Sequence, residues 1–158
     1  TVLYLTAIIL ISGIDKEYIK IDKKVLAYGI IISIIYMIYL YTVEPTNIYR
    51  YAIYLGIYII LLAIDTYLIR RCAKESYLIN ILILLNIILI FTEIEIFTMT
   101  VVMSAIAILI YALMRKISKK NAINKKITFK EIPIGFFIGA SNIIVLLIMT
   151  ILTNYYYL

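Results

Sequence analysis

The sequence predicts an all-α membrane protein with six transmembrane helices, both chain ends outside and three basic cytoplasmic loops. Of its 158 residues, 65% are hydrophobic and 15% are charged, whereas soluble domains carry about 25% charged residues. Several apolar runs approach or reach the ~20 residues that a helix needs to cross a bilayer. The basic residues gather in three segments between these runs. Since no linker separates two domains, we expect residues 1–158 to form a single transmembrane domain.

Six apolar runs define the predicted helices, and two prolines mark some of their ends. Proline cannot continue a helix and disfavours helix just before it, so Glu44-Pro45 ends the second helix. Pro133 lies in the first turn of the sixth helix, where its missing N–H is not needed. The first run spans only about 20 Å by helical rise, less than a hydrocarbon core of ~30 Å, so we expect helix 1 to begin before Thr1. The predicted helices are Val2–Ile14, Val25–Val43, Ile48–Ile69, Tyr77–Phe91, Ile96–Met114 and Ile132–Thr153.

The distribution of positive charge predicts how these helices are oriented. Fourteen of the fifteen Lys and Arg residues lie in the loops 13–24, 70–76 and 115–131, and only Arg50 lies in an opposite loop. Cytoplasmic loops of membrane proteins carry an excess of Lys and Arg. We therefore expect a multi-pass protein of a cell membrane, the bacterial cytoplasmic membrane, with these three loops inside. The net charge of +6 has the same origin, so we expect the lipid bilayer, and no nucleic acid, as a partner.

The residue types present narrow the chemistry that the chain can perform. There is no His, which excludes Ser-His-Asp and Cys-His catalysis and imidazole metal ligands. The single Cys72 excludes an internal disulfide and Cys-rich metal sites. The sequence also lacks a phosphate-binding Gly loop, so we predict neither a cofactor nor a metal. Any acid–base chemistry therefore falls to Asp, Glu, Lys, Tyr or Cys72.

Three carboxylates are candidates for that chemistry. Asp15 ends the first apolar run, where pairing with Lys16 or Lys20 would make it an ordinary solvated charge. Asp65 lies inside the third predicted helix, about 7 Å from its cytoplasmic end by helical rise. Intramembrane carboxylates usually face the bundle interior and have a function, although a structural bond to a neighbouring helix is equally open for Asp65. Glu75 lies in the short loop 70–76 and, taken alone, is a solvated loop charge.

Three asparagines interrupt the apolar helices. Asn80 and Asn86 lie in the fourth predicted helix and Asn142 lies in the sixth. Polar amides within membrane helices commonly form hydrogen bonds to neighbouring helices. We therefore predict that all three pair between helices rather than bind a ligand.

The order of these features resembles the type IV prepilin peptidases, a family of membrane aspartic proteases. In that family an Asp closes a transmembrane helix at the cytoplasmic face and is followed by basic residues and Ile-Pro-Asn. Here Asp15 is followed by Lys16, Lys20 and Ile21, and Asp22 occupies the position of the Pro. The family's last helix starts with an Ile-Pro-Phe-Gly-Pro-like segment, and residues 132–139 read Ile-Pro-Ile-Gly-Phe-Phe-Ile-Gly. The resemblance covers essentially the whole chain.

The second catalytic Asp of that family has no direct counterpart in this chain. The family carries it in a Gly-x-Gly-Asp motif between helices 3 and 4. Here Cys72 and Lys74 replace the two glycines, and Glu75 falls at the position of the Asp. The resemblance therefore implies Asp15 as one catalytic residue and either Glu75 or Asp65 as its partner, or a degenerate site.

The implied activity is cleavage of a prepilin-like membrane protein just cytoplasmic of its apolar N-terminal helix. Two close carboxyl groups would share one proton, so that the ionised member activates water and the protonated one polarises the scissile carbonyl. Two other functions remain open at this stage. One is a small transporter subunit that binds its substrate in a polar cavity open to the outer face. The other is a catalytically inactive membrane scaffold. The sequence does not predict an oligomeric state.

Overall fold

A computed structural model describes most of the chain as α-helix, and the described residues include no strand. The described residues are 2–43, 49, 52–54, 56–57, 59–60, 63–64, 66–67, 77–119 and 132–156.

Six helices follow one another along the described parts of the chain, as predicted. The described residues between 49 and 67 are all helical, and we label them α3. The other five helices are α1 Val2–Tyr18, α2 Lys23–Val43, α4 Tyr77–Phe91, α5 Ile94–Lys119 and α6 Ile134–Tyr156. Only α4 has the predicted bounds. The remaining four extend past at least one predicted end, because their terminal turns include charged or polar residues that an apolar run does not contain.

Three of these helices are long and apolar enough to cross a membrane: α2, the part of α5 at Ile94–Lys116, and the part of α6 at Ile134–Thr153. The helix α4 is also apolar but has only 15 residues. Most of the large apolar side chains on α2 and α5 face outward, for example Ile35 and Ile38, which are each 61% exposed. Outward apolar surface of this kind is stable against lipid but not against water.

The turn between α1 and α2 has a defined structure at both ends. α1 continues one turn beyond the predicted end at Ile14 and stops at Tyr18. Ile19 then adopts a left-handed backbone (φ 52°) and its N–H donates to the Asp15 carbonyl at 2.9 Å. This is the backbone conformation that commonly terminates a helix, although Gly is the usual residue there. Asp22 begins α2 as its N-cap, since its Oδ1 accepts the Lys24 N–H at 2.7 Å.

The helices pack so that α6 lies between α1 and α5, while α2 packs against both α1 and α4. The buried core is formed mainly by α1 and α4, including Ile8, Ile11, Leu84 and Ile87, which are all fully buried. α1 and α6 approach each other closely at Gly139, where an added Cβ would overlap Ser12 Oγ. Small residues at helix interfaces permit such close approach in membrane proteins.

Two of the three asparagines can be compared with the prediction that they pair between helices. Asn142 confirms it: Asn142 Oδ1 accepts the Tyr4 hydroxyl at 2.7 Å and its Nδ2 donates to Thr100 Oγ1 at 3.3 Å, which joins α1, α6 and α5. Asn86 contradicts it, because both polar atoms of its buried side chain lack a hydrogen-bond partner. Asn80 is buried in α4.

Candidate functional site

Asp15 lies in the last turn of α1, and its side chain is fully buried, with 0% of its surface exposed. The interpretation of Asp15 as a solvated surface charge is therefore wrong. Lys16, one of the two lysines expected to pair with it, instead places Nζ 5.2 Å from the centroid of the Phe136 ring, a cation–π arrangement. The other expected partner, Lys20, has an exposed side chain. The position of Asp15 at the end of the apolar run indicated a surface charge. The sequence of that run does not show which other helices pack around Asp15.

Two groups from distant parts of the sequence donate hydrogen bonds to the Asp15 carboxylate. The Tyr77 hydroxyl lies 2.8 Å from Oδ1 and 2.9 Å from Oδ2, so its single proton faces both oxygens. The backbone N–H of Phe136 donates to Oδ2 at 3.0 Å. Tyr77 is the first residue of α4 and Phe136 is the third residue of α6. The carboxylate therefore joins three helices at one point.

The side chains of Asp15 and Tyr77 also cap the N-terminus of α6. The first N–H groups of a helix have no partner within the helix and are usually satisfied by a side chain just before it. Here Pro133 precedes the helix, so the predicted start at Ile132 with Pro133 in the first turn is wrong, and Pro133 has no polar side chain. The Ile134 N–H donates to the Tyr77 hydroxyl at 2.9 Å, the Gly135 N–H approaches it at 3.5 Å, and the Phe136 N–H is taken by Asp15. α6 is thus capped by residues of α1 and α4.

Gly135 allows this arrangement because it has no side chain. A Cβ at this position would lie 3.1 Å from Asp15 Oδ2 and 3.3 Å from Asp15 Cγ and from the Ile21 side chain. Those distances are closer than most carbon contacts, so Asp15 would have to move by a few tenths of an ångström. Gly135 therefore leaves room for the carboxylate to approach the N-terminus of α6 without displacement.

Two opposing effects act on the ionisation of Asp15, which follows the apolar residues 2–14. Burial removes water from the carboxylate and raises the pKa of Asp15 above its ordinary value, and this is the larger effect. Hydrogen bonds from Tyr77 and from the Phe136 N–H, together with the nearby Gly135 N–H, favour the ionised form and act in the opposite direction. The positive end of the α6 dipole also favours a negative charge at this place. The result is a carboxyl group that is hydrogen-bonded as an acceptor but retains a proton to higher pH than a solvated Asp.

The two predicted partners of Asp15, Glu75 and Asp65, lie outside the described residues. Their distance from Asp15 therefore stays a prediction. Among the described residues, no group of three or more His, Cys, Asp or Glu side chains could hold a metal ion.

Sequence reasoning missed the roles of Tyr77 and Gly135. The Gly-x-x-x-Gly spacing of Gly135 and Gly139 was the available signal for a close helix contact. Pro133 without an Asp, Ser or Thr before the helix indicated that the cap had to come from elsewhere. Nothing local to Tyr77 distinguishes it from the other fifteen tyrosines in the chain.

Comparisons with protein-family models, with curated proteins and with solved structures gave no match for this chain.

Proposed function

We propose that this chain is a membrane-embedded aspartic peptidase resembling the type IV prepilin peptidases, with Asp15 as one of its two catalytic carboxyl groups. Its substrate would be a prepilin-like membrane protein, cut on the cytoplasmic side of its apolar N-terminal helix. Glu75, or Asp65 in its place, would supply the second carboxyl group.

The convergence of three separate segments on one carboxylate is the observation that supports this proposal. The resemblance singles out Asp15, the loop 70–76 and the Ile-Pro start of the last helix. Asp15 accepts hydrogen bonds from Tyr77, which directly follows that loop, and from Phe136 at the start of α6. Glu75 precedes Tyr77 by only two residues in the sequence. Segments that lie far apart in a sequence need not meet in space, so the contacts of Tyr77 and Phe136 with a buried acid favour a site.

The chemistry follows from two carboxyl groups that share a proton. Two like charges a few ångströms apart cannot both ionise, so one member stays protonated. A buried Asp15 with a raised pKa suits the protonated role, which polarises the scissile carbonyl, while the ionised partner takes a proton from the attacking water. After attack, the leaving amine receives a proton from the pair, and the amide bond breaks.

The proposed setting is a multi-pass protein of the bacterial cytoplasmic membrane. In this orientation both chain ends lie outside, and the loops 13–24, 70–76 and 115–131 lie in the cytoplasm. Asp15 then lies at the cytoplasmic end of α1. That is the level at which a prepilin-like substrate leaves the membrane.

Cleavage of a co-expressed prepilin-like protein tests the proposal. We expect the wild-type chain to cleave it and Asp15→Asn to abolish cleavage, while both chains insert equally into the membrane. Glu17→Gln is the matched control, because Glu17 is a carboxylate two residues away whose side chain is exposed. Equal cleavage by Asp15→Asn and the wild type would remove Asp15 from the mechanism.

The same assay identifies the partner of Asp15. If Glu75 is the partner, Glu75→Gln loses activity to the same extent as Asp15→Asn, and Asp65→Asn retains it. If Asp65 is the partner, the two results exchange. Activity in both variants would contradict a mechanism with two carboxyl groups from this set.

A catalytically inactive scaffold is the second candidate, and the closure of the site favours it. The carboxylate is fully buried and its oxygens are occupied by the groups that cap α6. In a scaffold of this kind, the role of Asp15 would be to cap α6 and not to catalyse a reaction. A wild-type chain that never cleaves a substrate, but loses stability on Asp15→Asn, would be the result expected of a scaffold.

The described structure gives no comparable support to a transporter subunit. One cavity among the described residues, of about 400 Å³, lies between α5 and α6 and is lined mostly by apolar side chains. The cavity is lined by Thr98, Met99, Val102, Met103, Val145, Ile148 and Met149. An apolar groove on this face does not match the polar cavity that a transported polar solute requires.

A further inference from the structure

The hydroxyl group of Tyr77 occupies a position between the carboxylate of Asp15 and the backbone of α6. It donates its one proton toward Oδ1 and Oδ2 at 2.8 and 2.9 Å, and it accepts the Ile134 N–H at 2.9 Å. A hydroxyl that accepts one hydrogen bond becomes a stronger donor for another. Tyr77 therefore stabilises the Asp15 carboxylate in two ways: it donates its own hydrogen bond, and that bond is strengthened by the positive N-terminus of α6.

The two donors to the Asp15 carboxylate differ in how easily they can move. The Phe136 N–H belongs to the backbone of α6, which is packed tightly against α1 where Gly139 meets Ser12. Moving it would separate two helices. Tyr77 is half-buried with its ring against the core, and rotation about its side-chain bonds is the motion that would take its hydroxyl off the carboxylate. Of the groups that close the site, Tyr77 is the one that can open without rearranging the helices.

We propose that Tyr77 is a positioning residue that holds Asp15 closed against the N-terminus of α6, and that rotation of its side chain exposes Asp15 for reaction. The catalytic meaning of this rests on the proposed peptidase function. The effect of the Tyr77 contact on Asp15 does not depend on that function, because the contact governs the reactivity of Asp15 toward any reagent.

Few other titratable groups on the described elements can influence Asp15. Tyr77 is the only titratable side chain of α4, and α6 has none before Tyr155. On α1 itself, and in the turn to α2, the side chains of Lys16, Glu17 and Lys20 are exposed and that of Asp22 is directed to the start of α2. On α2 the nearest are Lys23 and Lys24, which are also exposed. Among the described residues, Tyr77 is therefore the titratable group in direct contact with Asp15.

Labelling of Asp15 with dicyclohexylcarbodiimide tests the proposal. This apolar reagent reacts with protonated carboxyl groups in membrane proteins, and no peptidase substrate is involved. The full chain would be reconstituted in phospholipid vesicles and labelled across a pH series, with the extent at Asp15 read by mass spectrometry. All variants would carry Glu17→Gln, which leaves Asp15 as the only carboxyl group in residues 2–20.

We expect Tyr77→Phe to increase the labelling rate about tenfold, as expected from the loss of one hydrogen bond to a charged group. We also expect the pH of half-maximal labelling to rise by about one unit, because the ionised form loses a donor. Tyr4→Phe is the matched control. It removes another buried tyrosine hydroxyl, one that bonds to Asn142 rather than to Asp15, and should change neither quantity.

A second variant keeps the test decisive if Tyr77→Phe does not fold. Replacing Tyr77 by 3-fluorotyrosine keeps the ring and strengthens the donor, so we expect slower labelling and a lower pH of half-maximal labelling. Rates and pH profiles that are the same in the wild type and in the folded Tyr77 variants would overturn the proposal. A change in labelling together with absent peptidase activity would retain the role of Tyr77 and reject the proposed function alone.

Discussion

At the level of single residues, Asp15 is stabilised by groups that lie far from it in the sequence. Tyr77 and Phe136 are 62 and 121 residues away, yet both donate hydrogen bonds to its carboxylate. Such charge-assisted bonds to a buried acid are stronger than those between neutral groups. They compensate only in part for the loss of water, because burial remains the larger effect on the pKa of Asp15.

The raised pKa of Asp15 predicts a pH dependence of stability. In the unfolded chain Asp15 ionises near its ordinary value of 3.8, whereas the folded protein keeps the proton to higher pH. The folded state thus binds more protons between the two pKa values, so the contribution of Asp15 is complete below the lower value and is lost as the pH rises through the folded one. Asp15→Asn cannot ionise, so we expect it to lose less stability than the wild type as the pH rises.

Free energies of unfolding in detergent, measured for both chains from about pH 4 to about pH 7, check this prediction. Glu17→Gln serves as the control and should follow the wild type, since Glu17 is exposed. A wild type that becomes more stable relative to Asp15→Asn with rising pH would show that the folded structure favours the ionised carboxylate.

At the level of helices, the packing of α1 against α6 determines whether Asp15 can reach its hydrogen-bond donor on α6. Gly135 and Gly139 lie one turn apart on α6 and face Asp15 and Ser12, which also lie one turn apart on α1. The absence of side chains at both glycines brings the two helices close together. This contact supports the cap on α6, because Asp15 reaches Phe136 only at that distance.

Gly139→Ala should destabilise the protein because its new Cβ would overlap Ser12 Oγ. We expect a loss of about 1–3 kcal/mol in the free energy of unfolding, typical of an overpacked interface. Ser12→Ala removes the overlapping oxygen, which is buried without a hydrogen-bond partner, and should restore much of the loss in the double variant. A double-mutant cycle in detergent measures this coupling.

Gly13→Ala is the control for this cycle, because nothing lies within 4 Å of a Cβ at that position. Gly13 lies within α1, so its replacement should leave stability unchanged or raise it slightly. Additive effects of Gly139→Ala and Ser12→Ala would contradict a direct contact between these residues.

At the level of the whole molecule, the sequence predicted the positions of the helices better than it predicted which helices pack against one another. The bounds of α4 were correct because its 15 residues contain no charged side chain and are apolar apart from Tyr77, Asn80 and Asn86. The extra turn of α1 was missed because Asp15, Lys16 and Glu17 have the composition of a loop. The burial of Asp15 was missed for another reason: it depends on where α4 and α6 lie, and no local pattern encodes that placement.

The proposed orientation in the membrane can be tested with single cysteines in a Cys72→Ala background. Glu17 and Glu93 both have exposed side chains and lie at opposite ends of the helices that the charge distribution orients. We expect Glu93→Cys to react with a membrane-impermeant maleimide in intact cells, and Glu17→Cys to react only in inverted vesicles. The opposite pattern would invert the topology, and with it the side on which a substrate could meet Asp15.

The participation of Asp15 in cleaving a prepilin-like protein is tested most directly by the cleavage rate of purified chains in proteoliposomes. We predict cleavage by the wild type and by Glu17→Gln, and a rate about 10²- to 10⁴-fold lower for Asp15→Asn, in the range typical of a lost acid–base group. Thermal unfolding of each chain would confirm that it is folded. A folded Asp15→Asn chain that cleaves at the wild-type rate would show that Asp15 is not a catalytic residue.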